Sequence, residues 1–104
     1  MEKKILSFLG LANRAGKVAS GEFSAEAAVK DRKAKLVIIA ADASDNTKKL
    51  FHDKSSYYGI PILTFGTKET LGGAIGKQMR ASLAILDEGF AEKLKEMIQK
   101  QEVK

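Results

Sequence analysis

The 104-residue sequence contains no cysteine, one histidine and one proline. Without cysteine the chain can form no disulfide framework, no thiolate nucleophile and no thiolate metal site, and this composition is typical of a reducing compartment. The apolar residues near the start are interrupted by Ser7, Gly10 and Asn13, and no apolar run reaches the length of a transmembrane helix. We therefore predict a cytoplasmic protein that does not use a membrane as a partner.

Catalytic groups are also scarce. His52 lies beside Phe51 in a helical pattern and has no neighbouring serine or cysteine nucleophile, so we interpret it as a solvent-facing or helix-stabilising residue. Asp42 and Asp45 flank the start of a helix, where carboxylates more often cap the helix and interact with its dipole than bind Mg²⁺. The sequence therefore predicts no enzyme activity, no cofactor and no metal.

Hydrophobic periodicity predicts alternating helices and strands. The predicted helices are Lys4–Ala15, Glu22–Lys33, a helix after the turn Asp42–Asp45 that runs from the N-cap Ser44 to about Tyr58, Lys68–Ile75, and Asp87–Gln101. The predicted strands are Lys17–Ser20 at a sheet edge, Leu36–Ala41 at the centre, Ile60–Phe65 and Leu83–Leu86. The continuous apolar run "LVIIAA" indicates a strand that is buried on both faces. We predict a single domain over residues 1–104 with an α/β fold, a three-layer α/β/α sandwich with a four-stranded mixed sheet.

The charge balance favours a polyanionic partner. The chain has 18 lysines and arginines against 13 acidic residues, a net charge of +5, and a positive surface concentrates polyanions. The turn "NRAGK" is expected to place Arg14 and Lys17 near the entry of the second helix, whose free amides can bind phosphate. If this turn and the loop before the last strand share one edge of the sandwich, they form a polyanion-binding rim.

That loop belongs to the segment "TLGGAIGKQMRAS", residues 70–82. Its "GGAIGK" lacks both the spacing of a phosphate-binding P-loop and a hydroxyl after the lysine. Lys77 and Arg80 are its cations, and Met79 between them suits contact with an unstacked base. A plainer interpretation stays open, in which Gly72, Gly73 and Gly76 end a short helix and the cations are merely solvated.

Three longer stretches carry a resemblance to a known family: "GEFSAEAAVKDRKAKLVIIAADAS", "GIPILTFGTKETLGGAIGK" and "LAILDEGFAEKL". Together they resemble the large-subunit ribosomal protein superfamily whose members bind kink-turn RNA, and in particular its small bacterial YlxQ-like branch. The resemblance covers nearly the whole chain and implies the same α/β/α sandwich. It also implies recognition of a sharply bent RNA helix with tandem sheared G·A pairs and a protruding nucleotide.

The resemblance assigns the RNA surface to two segments, which correspond here to Gly21–Ala27 and Lys77–Ser82. Where the best-known members have asparagine and glutamate this chain has Phe23 and Ser24, and where they have lysine it has Ala27. Each missing polar group could contribute about 1 to 3 kcal/mol of base discrimination. Stacking of Phe23 on a base could contribute a similar amount.

We therefore hypothesise an RNA-binding set with divided roles. Phosphates are held by four cations: Arg14, Lys17, Lys77 and Arg80. Gly21 permits close backbone approach, Ser24 forms hydrogen bonds, and Phe23 and Met79 make apolar base contacts. The predicted set is completed by Glu22, Ala27, Ala81 and Ser82, which lie in the same two segments.

The expected partner is a structured, kink-turn-like RNA, with ribosomal RNA as one candidate, and DNA is not expected. The alternative is a protein-interaction module whose sandwich face or C-terminal helix docks a partner, with only non-specific RNA affinity. A small RNA-modifying enzyme is a third alternative, which the absence of a visible nucleophile or cofactor loop disfavours.

Overall fold

The computed structural model describes residues 1–102, which form alternating helices and strands. The helices are α1 (Glu2–Arg14), α2 (Glu22–Lys30), α3 (Asp45–Tyr58), α4 (Lys68–Ala74) and α5 (Glu88–Glu102). The strands are β1 (Val18–Ser20), β2 (Leu36–Ile39), β3 (Ile62–Thr64) and β4 (Ser82–Ile85). The predicted order of elements is confirmed. None of these helices combines the length and the apolar character that a membrane crossing needs.

The four strands form one mixed sheet in the order β1-β4-β2-β3. β4 is antiparallel to both β1 and β2, whereas β2 and β3 are parallel. Helices α2 and α3 pack together on one side of the sheet, and α1 packs with α4 and α5 on the other. The prediction of a three-layer α/β/α sandwich with a four-stranded mixed sheet is confirmed.

The core lies against the two central strands. All residues of β2 and β4 are buried, which agrees with the continuous apolar pattern of "LVII". The helices contribute one apolar stripe each, as their sequence periodicity predicts. The large fully buried side chains from the helices include Ile5, Leu9, Val29, Phe51, Leu94 and Ile98.

A residue in the left-handed conformation follows the end of α1 and of α2. Gly16 ends α1 with φ +76°, and the amides of Gly16 and Lys17 donate to Asn13 and Ala12, which is the Schellman arrangement expected for a glycine. The prediction that the second helix extends to Lys33 is wrong, since α2 ends at Lys30. Arg32 takes a left-handed conformation with φ +59°, and its guanidinium lies 5.2 Å from the centre of the Tyr58 ring.

The direction of the strands gathers three helix starts at one edge of the sheet. β1, β2 and β3 all end at the edge where β4 begins, because β4 is antiparallel to both β1 and β2 and β3 is parallel to β2. We call this edge the rim. It comprises residues 21–24, residues 41–45, residues 66–68 and residues 77–82. Helices α2, α3 and α4 therefore direct the positive ends of their dipoles toward the rim.

Candidate nucleic-acid interface

The entry of α2 is built on Gly21. Its φ of +91° lies in the region that favours glycine, and its amide donates to the carbonyl of Ser82 at 3.0 Å. This bond joins the start of α2 directly to the start of β4. The two segments that the resemblance assigns to RNA recognition are therefore neighbours at the rim.

Among the helices that begin at the rim, α2 alone has no side-chain cap within residues 1–102. Ser44 caps α3 by accepting from the amide of Thr47, and Thr67 caps α4 by accepting from the amide of Thr70. Gly21 has no side chain that could accept in this way. The first amides of α2 are consequently available to an external acceptor such as a phosphate oxygen.

The loop from Lys77 to Ser82 is held at both ends. Near its start, the Lys77 amide donates to the Gly72 carbonyl at 2.8 Å, and further along the Arg80 amide donates to the Lys68 carbonyl at 3.0 Å. A Cβ at Gly72 would lie 1.6 Å from the carbonyl oxygen of Gln78. Gly72 is therefore required for the loop to fold back over α4. The plainer interpretation holds for Gly76, which ends α4 with φ +71°, since the amides of Gly76 and Lys77 donate to the carbonyls of Gly73 and Gly72 as expected at a helix-ending glycine. It is wrong for Gly72 and Gly73, which lie within α4.

The rim exposes two large apolar side chains. Phe23 is 86% exposed in the first turn of α2, and Met79 is 59% exposed in the loop. Phe23 therefore does not cover the core. Exposed aromatic and flexible apolar groups beside backbone donors are suited to contact with unstacked bases.

Charges of both signs lie near the rim. Lys77 is exposed, and Arg80 is half-buried with its Nη1 donating to the Met79 carbonyl at 2.9 Å. An arginine has five N–H donors, so most of this guanidinium is free to bind a phosphate. The carboxylates are engaged within the fold: Glu22 accepts from the Thr47 hydroxyl at 3.3 Å, and Asp42 accepts from the Lys68 amide at 2.8 Å.

The remaining predicted residues of the two segments differ in what they can contact. Ser24 is exposed in the first turn of α2, whereas Ala27 and Ala81 are half-buried. Ser82 requires a correction as a contact residue, because it is only 1% exposed. Its contribution to the rim is the carbonyl that accepts from Gly21.

The structure corrects the expectation that the "NRAGK" turn adjoins the entry of α2. The carbonyl of Lys17 accepts from the amide of Leu86, beyond the end of β4, so Lys17 lies at the opposite end of β1 from Gly21. Four residue-to-residue steps of extended chain separate the two by roughly 13 Å. Arg14 instead lines a groove beside Ile75 and Gly76, close to the residues that lead into the Lys77 loop.

The three residues considered for catalysis or metal binding, namely His52, Asp42 and Asp45, lie on α3 or in the turn before it. His52 is exposed on α3, as predicted. Within residues 1–102 no group of three or more histidine and carboxylate side chains could hold a metal ion. Asp45 occupies the first turn of α3, while Asp42 contacts the start of α4 rather than α3. No local pattern indicates the contact between Asp42 and the amide of Lys68, since it joins residues 26 positions apart.

Comparison with known proteins gives a consistent picture. Residues 3–95 match the family described as Ribosomal protein L7Ae/L30e/S12e/Gadd45 family. A relative from Enterococcus faecium named RNA-binding protein YlxQ is 44% identical over 97 residues, which cover 93% of each chain. A relative of the same name from Bacillus subtilis (strain 168) is 46% identical over 86 residues, covering 83% of this chain and 86% of the relative.

Two solved structures have the same architecture. A protein of unknown function from Bacillus halodurans superposes with a TM-score of 0.89 and is 42% identical, with 92% of this chain and 97% of that chain covered. The Giardia lamblia 15.5kD RNA binding protein superposes with a TM-score of 0.74 at 26% identity, with 91% of this chain and 82% of that chain covered. The likeness therefore extends over nearly the whole sandwich.

Proposed function

Because the chain belongs to the ribosomal protein L7Ae/L30e/S12e/Gadd45 family, we propose that it is a non-catalytic RNA-binding protein whose single domain recognises a structured, kink-turn-like RNA at the rim. The names of the relatives from Enterococcus faecium and Bacillus subtilis and of the Giardia lamblia protein support RNA as the partner. The family description supports a ribosomal or translation-associated RNA, and we place the protein in the cytoplasm, where such RNA is found.

The hydrogen bond from the Gly21 amide to the Ser82 carbonyl carries this proposal. It joins the uncapped start of α2 to the loop before β4, so that backbone donors, cations and exposed apolar side chains lie at one edge. The α2 amides and the side chains of Lys77 and Arg80 bind phosphates, because all of these groups are hydrogen-bond donors. Ser24 adds a hydroxyl at the same helix start.

Base recognition falls to Phe23 and Met79. Phe23 has a free ring face at the position where the family's best-known members have a polar side chain. Stacking on an extruded base is worth about 1 to 3 kcal/mol in single-stranded complexes, which is comparable to the bidentate polar contact that it replaces. Compared with the best-known members of the family, this chain therefore keeps the phosphate contacts and replaces part of the polar contacts to bases by stacking.

Arg14 and Lys17 receive a smaller role than the sequence suggests. Lys17 lies at the far end of β1 and Arg14 on α1, so they contact only an RNA whose helical stem extends beyond the rim. We expect the replacement of Arg14 or Lys17 by alanine to reduce the affinity for RNA less than the replacement of Arg80 does.

The test is a titration of the purified protein against a kink-turn RNA and against the same duplex with its G·A pairs made Watson–Crick. Both titrations are run near physiological ionic strength, where binding to phosphates alone is weak. We expect a clear preference for the kinked RNA, and Phe23→Ala should reduce that preference more than Lys17→Ala. Equal weak binding to both RNAs would refute recognition of the kink at the rim.

A further inference from the structure

The side of the sandwich formed by α1 and α5 carries a groove that lies outside the rim. We call it the α1–α5 groove, and its volume is about 450 Å³. Its apolar lining consists of Phe8, Leu11 and Met97, and four cations surround them: Lys3, Lys4, Arg14 and Lys93. The rim lies at an edge of the sheet, whereas this groove lies on a helical face.

The apolar side chains form a stripe between the two helices. Phe8 and Leu11 are three residues apart on α1, and Met97 joins them from α5. On each helix a cation lies four residues before an apolar side chain: Lys4 before Phe8 and Lys93 before Met97. Leu11 is 46% exposed, while Phe8 and Met97 are half-buried. The ring of Phe8 packs against the ring of Phe90, and the two ring centres are 5.2 Å apart.

The cations around this stripe are largely unneutralised. Of these four cations, only Lys93 has an ion-pair partner among the side chains of residues 1–101, Glu96 at 3.4 Å, whereas Lys3, Lys4 and Arg14 have none there. Apolar side chains flanked by free positive charges favour an occupant that is apolar on one face and acidic at its edges.

The geometry narrows the occupant to a helix. A groove between two packed helices accepts an amphipathic helix through anchors at i, i+3 or i+4, and i+7. A second copy of this chain is disfavoured, because an isologous contact would bring the same cations face to face. RNA is disfavoured because the lining offers aliphatic groups, and its one aromatic ring is already packed against Phe90.

We propose that the α1–α5 groove binds an acidic amphipathic helix of a protein partner, with leucine-type anchors against Leu11 and Met97 and carboxylates facing Lys3, Lys4 and Arg14. The RNA-binding rim stays free when this helix is bound. The groove thus gives the protein a second, independent partner, whose test does not depend on the proposed RNA function.

The test uses three synthetic peptides of glutamate and leucine. In the two ordered peptides, the leucines stand at i, i+3 and i+7 or at i, i+4 and i+7. The third peptide has the same composition in a scrambled order. Each is titrated into the ¹⁵N-labelled full chain and followed by amide resonances. We expect saturable shifts on α1 and α5 with at least one ordered peptide, and weaker binding at higher salt because the contact is between opposite charges.

Variants locate the contact. Leu11→Ser should weaken peptide binding about fivefold through lost apolar burial, and the double variant Lys3→Glu/Lys4→Glu should weaken it about tenfold. The matched control is Lys95→Glu/Lys100→Glu, which makes the same charge change at α5 residues that line a different surface, and it should change affinity by less than about twofold. All of these side chains are exposed, so the variants should stay folded.

Three results would overturn the proposal. The first is that neither ordered peptide binds saturably, and the second is that the peptides shift amide resonances only outside α1 and α5. The third is a set of α1 and α5 shifts caused by the kinked RNA and not by the peptides, which would make the groove an RNA surface. If the charge variants unfold, the salt dependence of the wild-type titration decides, since a salt-independent affinity also contradicts an acidic occupant.

Discussion

Replacing Lys77 and Arg80 together by alanine tests the rim most directly. The loop that carries them is fixed by backbone hydrogen bonds to Gly72 and Lys68, so the double variant should remove two cations without moving the rim. Each phosphate contact contributes about 0.9 to the slope of log affinity against log salt concentration. We therefore expect the slope to become shallower by about two units.

The same relation gives the loss of affinity. Taking the affinities of the two proteins to converge near 1 M salt, a slope change of about 1.8 predicts a loss of about 30-fold near 0.15 M and only about fourfold near 0.5 M. The assay is a fluorescence anisotropy titration of a labelled kink-turn RNA at four or more salt concentrations.

The matched control for this assay is Lys35→Ala/Lys95→Ala. It removes the same two positive charges at the opposite edge of the sheet, where the Lys35 amide donates to the Ile85 carbonyl and Lys95 lines the same pocket. This control should leave the slope nearly unchanged. If both double variants flatten the slope equally, the overall charge of the protein governs binding and the assignment of contacts to the loop is wrong; if neither does, the loop does not touch RNA.

The remaining predictions concern single residues of α4 and of the rim. Gly72→Ala should lower the free energy of unfolding by about 1 to 3 kcal/mol, because the added Cβ would meet backbone atoms. Gly73 faces open space, so Gly73→Ala should raise the free energy of unfolding by up to about 1 kcal/mol. Urea denaturation of both variants measures the two effects, and equal effects would contradict this prediction. Phe23→Ala should weaken RNA binding by roughly tenfold with unchanged stability, while Tyr57→Ala, at an equally exposed ring away from the rim, should not. Ser82→Ala should leave the free energy of unfolding unchanged or raise it by up to about 1 kcal/mol. The reason is that the buried Ser82 hydroxyl has no hydrogen-bond partner within the described residues, and a clear loss of stability would reveal a partner.

Sequence periodicity was sufficient for the elements whose position depends on burial. Ala25, Ala28 and Val29 of α2 form a buried stripe, because a helix that packs on a sheet must place its apolar residues on one face. The end of α2 was not predictable in this way. Arginine rarely adopts a left-handed conformation, so a pattern-based prediction had no reason to end the helix before Arg32.

The candidate site was predictable only in part, because it depends on strand direction. The expectation for Arg14 and Lys17 rested on proximity in sequence to the second helix, whereas the antiparallel pairing of β1 with β4 sends Lys17 to the opposite edge. The close approach of Gly72 to Gln78 and the contact of Asp42 with the start of α4 are likewise tertiary. No local pattern encodes them.

The distribution of charge at the rim also limits what net charge can explain. Glu22 and Asp45 stand in the first turns of α2 and α3, where the helix dipoles favour them, and they oppose a phosphate at the same positions. The rim therefore does not attract RNA through a broad positive field. Under the proposed function, its affinity for RNA comes from directed donors, namely the free amides of α2 and the side chains of Lys77 and Arg80, together with stacking on Phe23. Binding that depends on a few directed contacts has a modest salt slope and a large dependence on RNA shape, which is the combination expected for recognition of a bend rather than of nucleic acid in general.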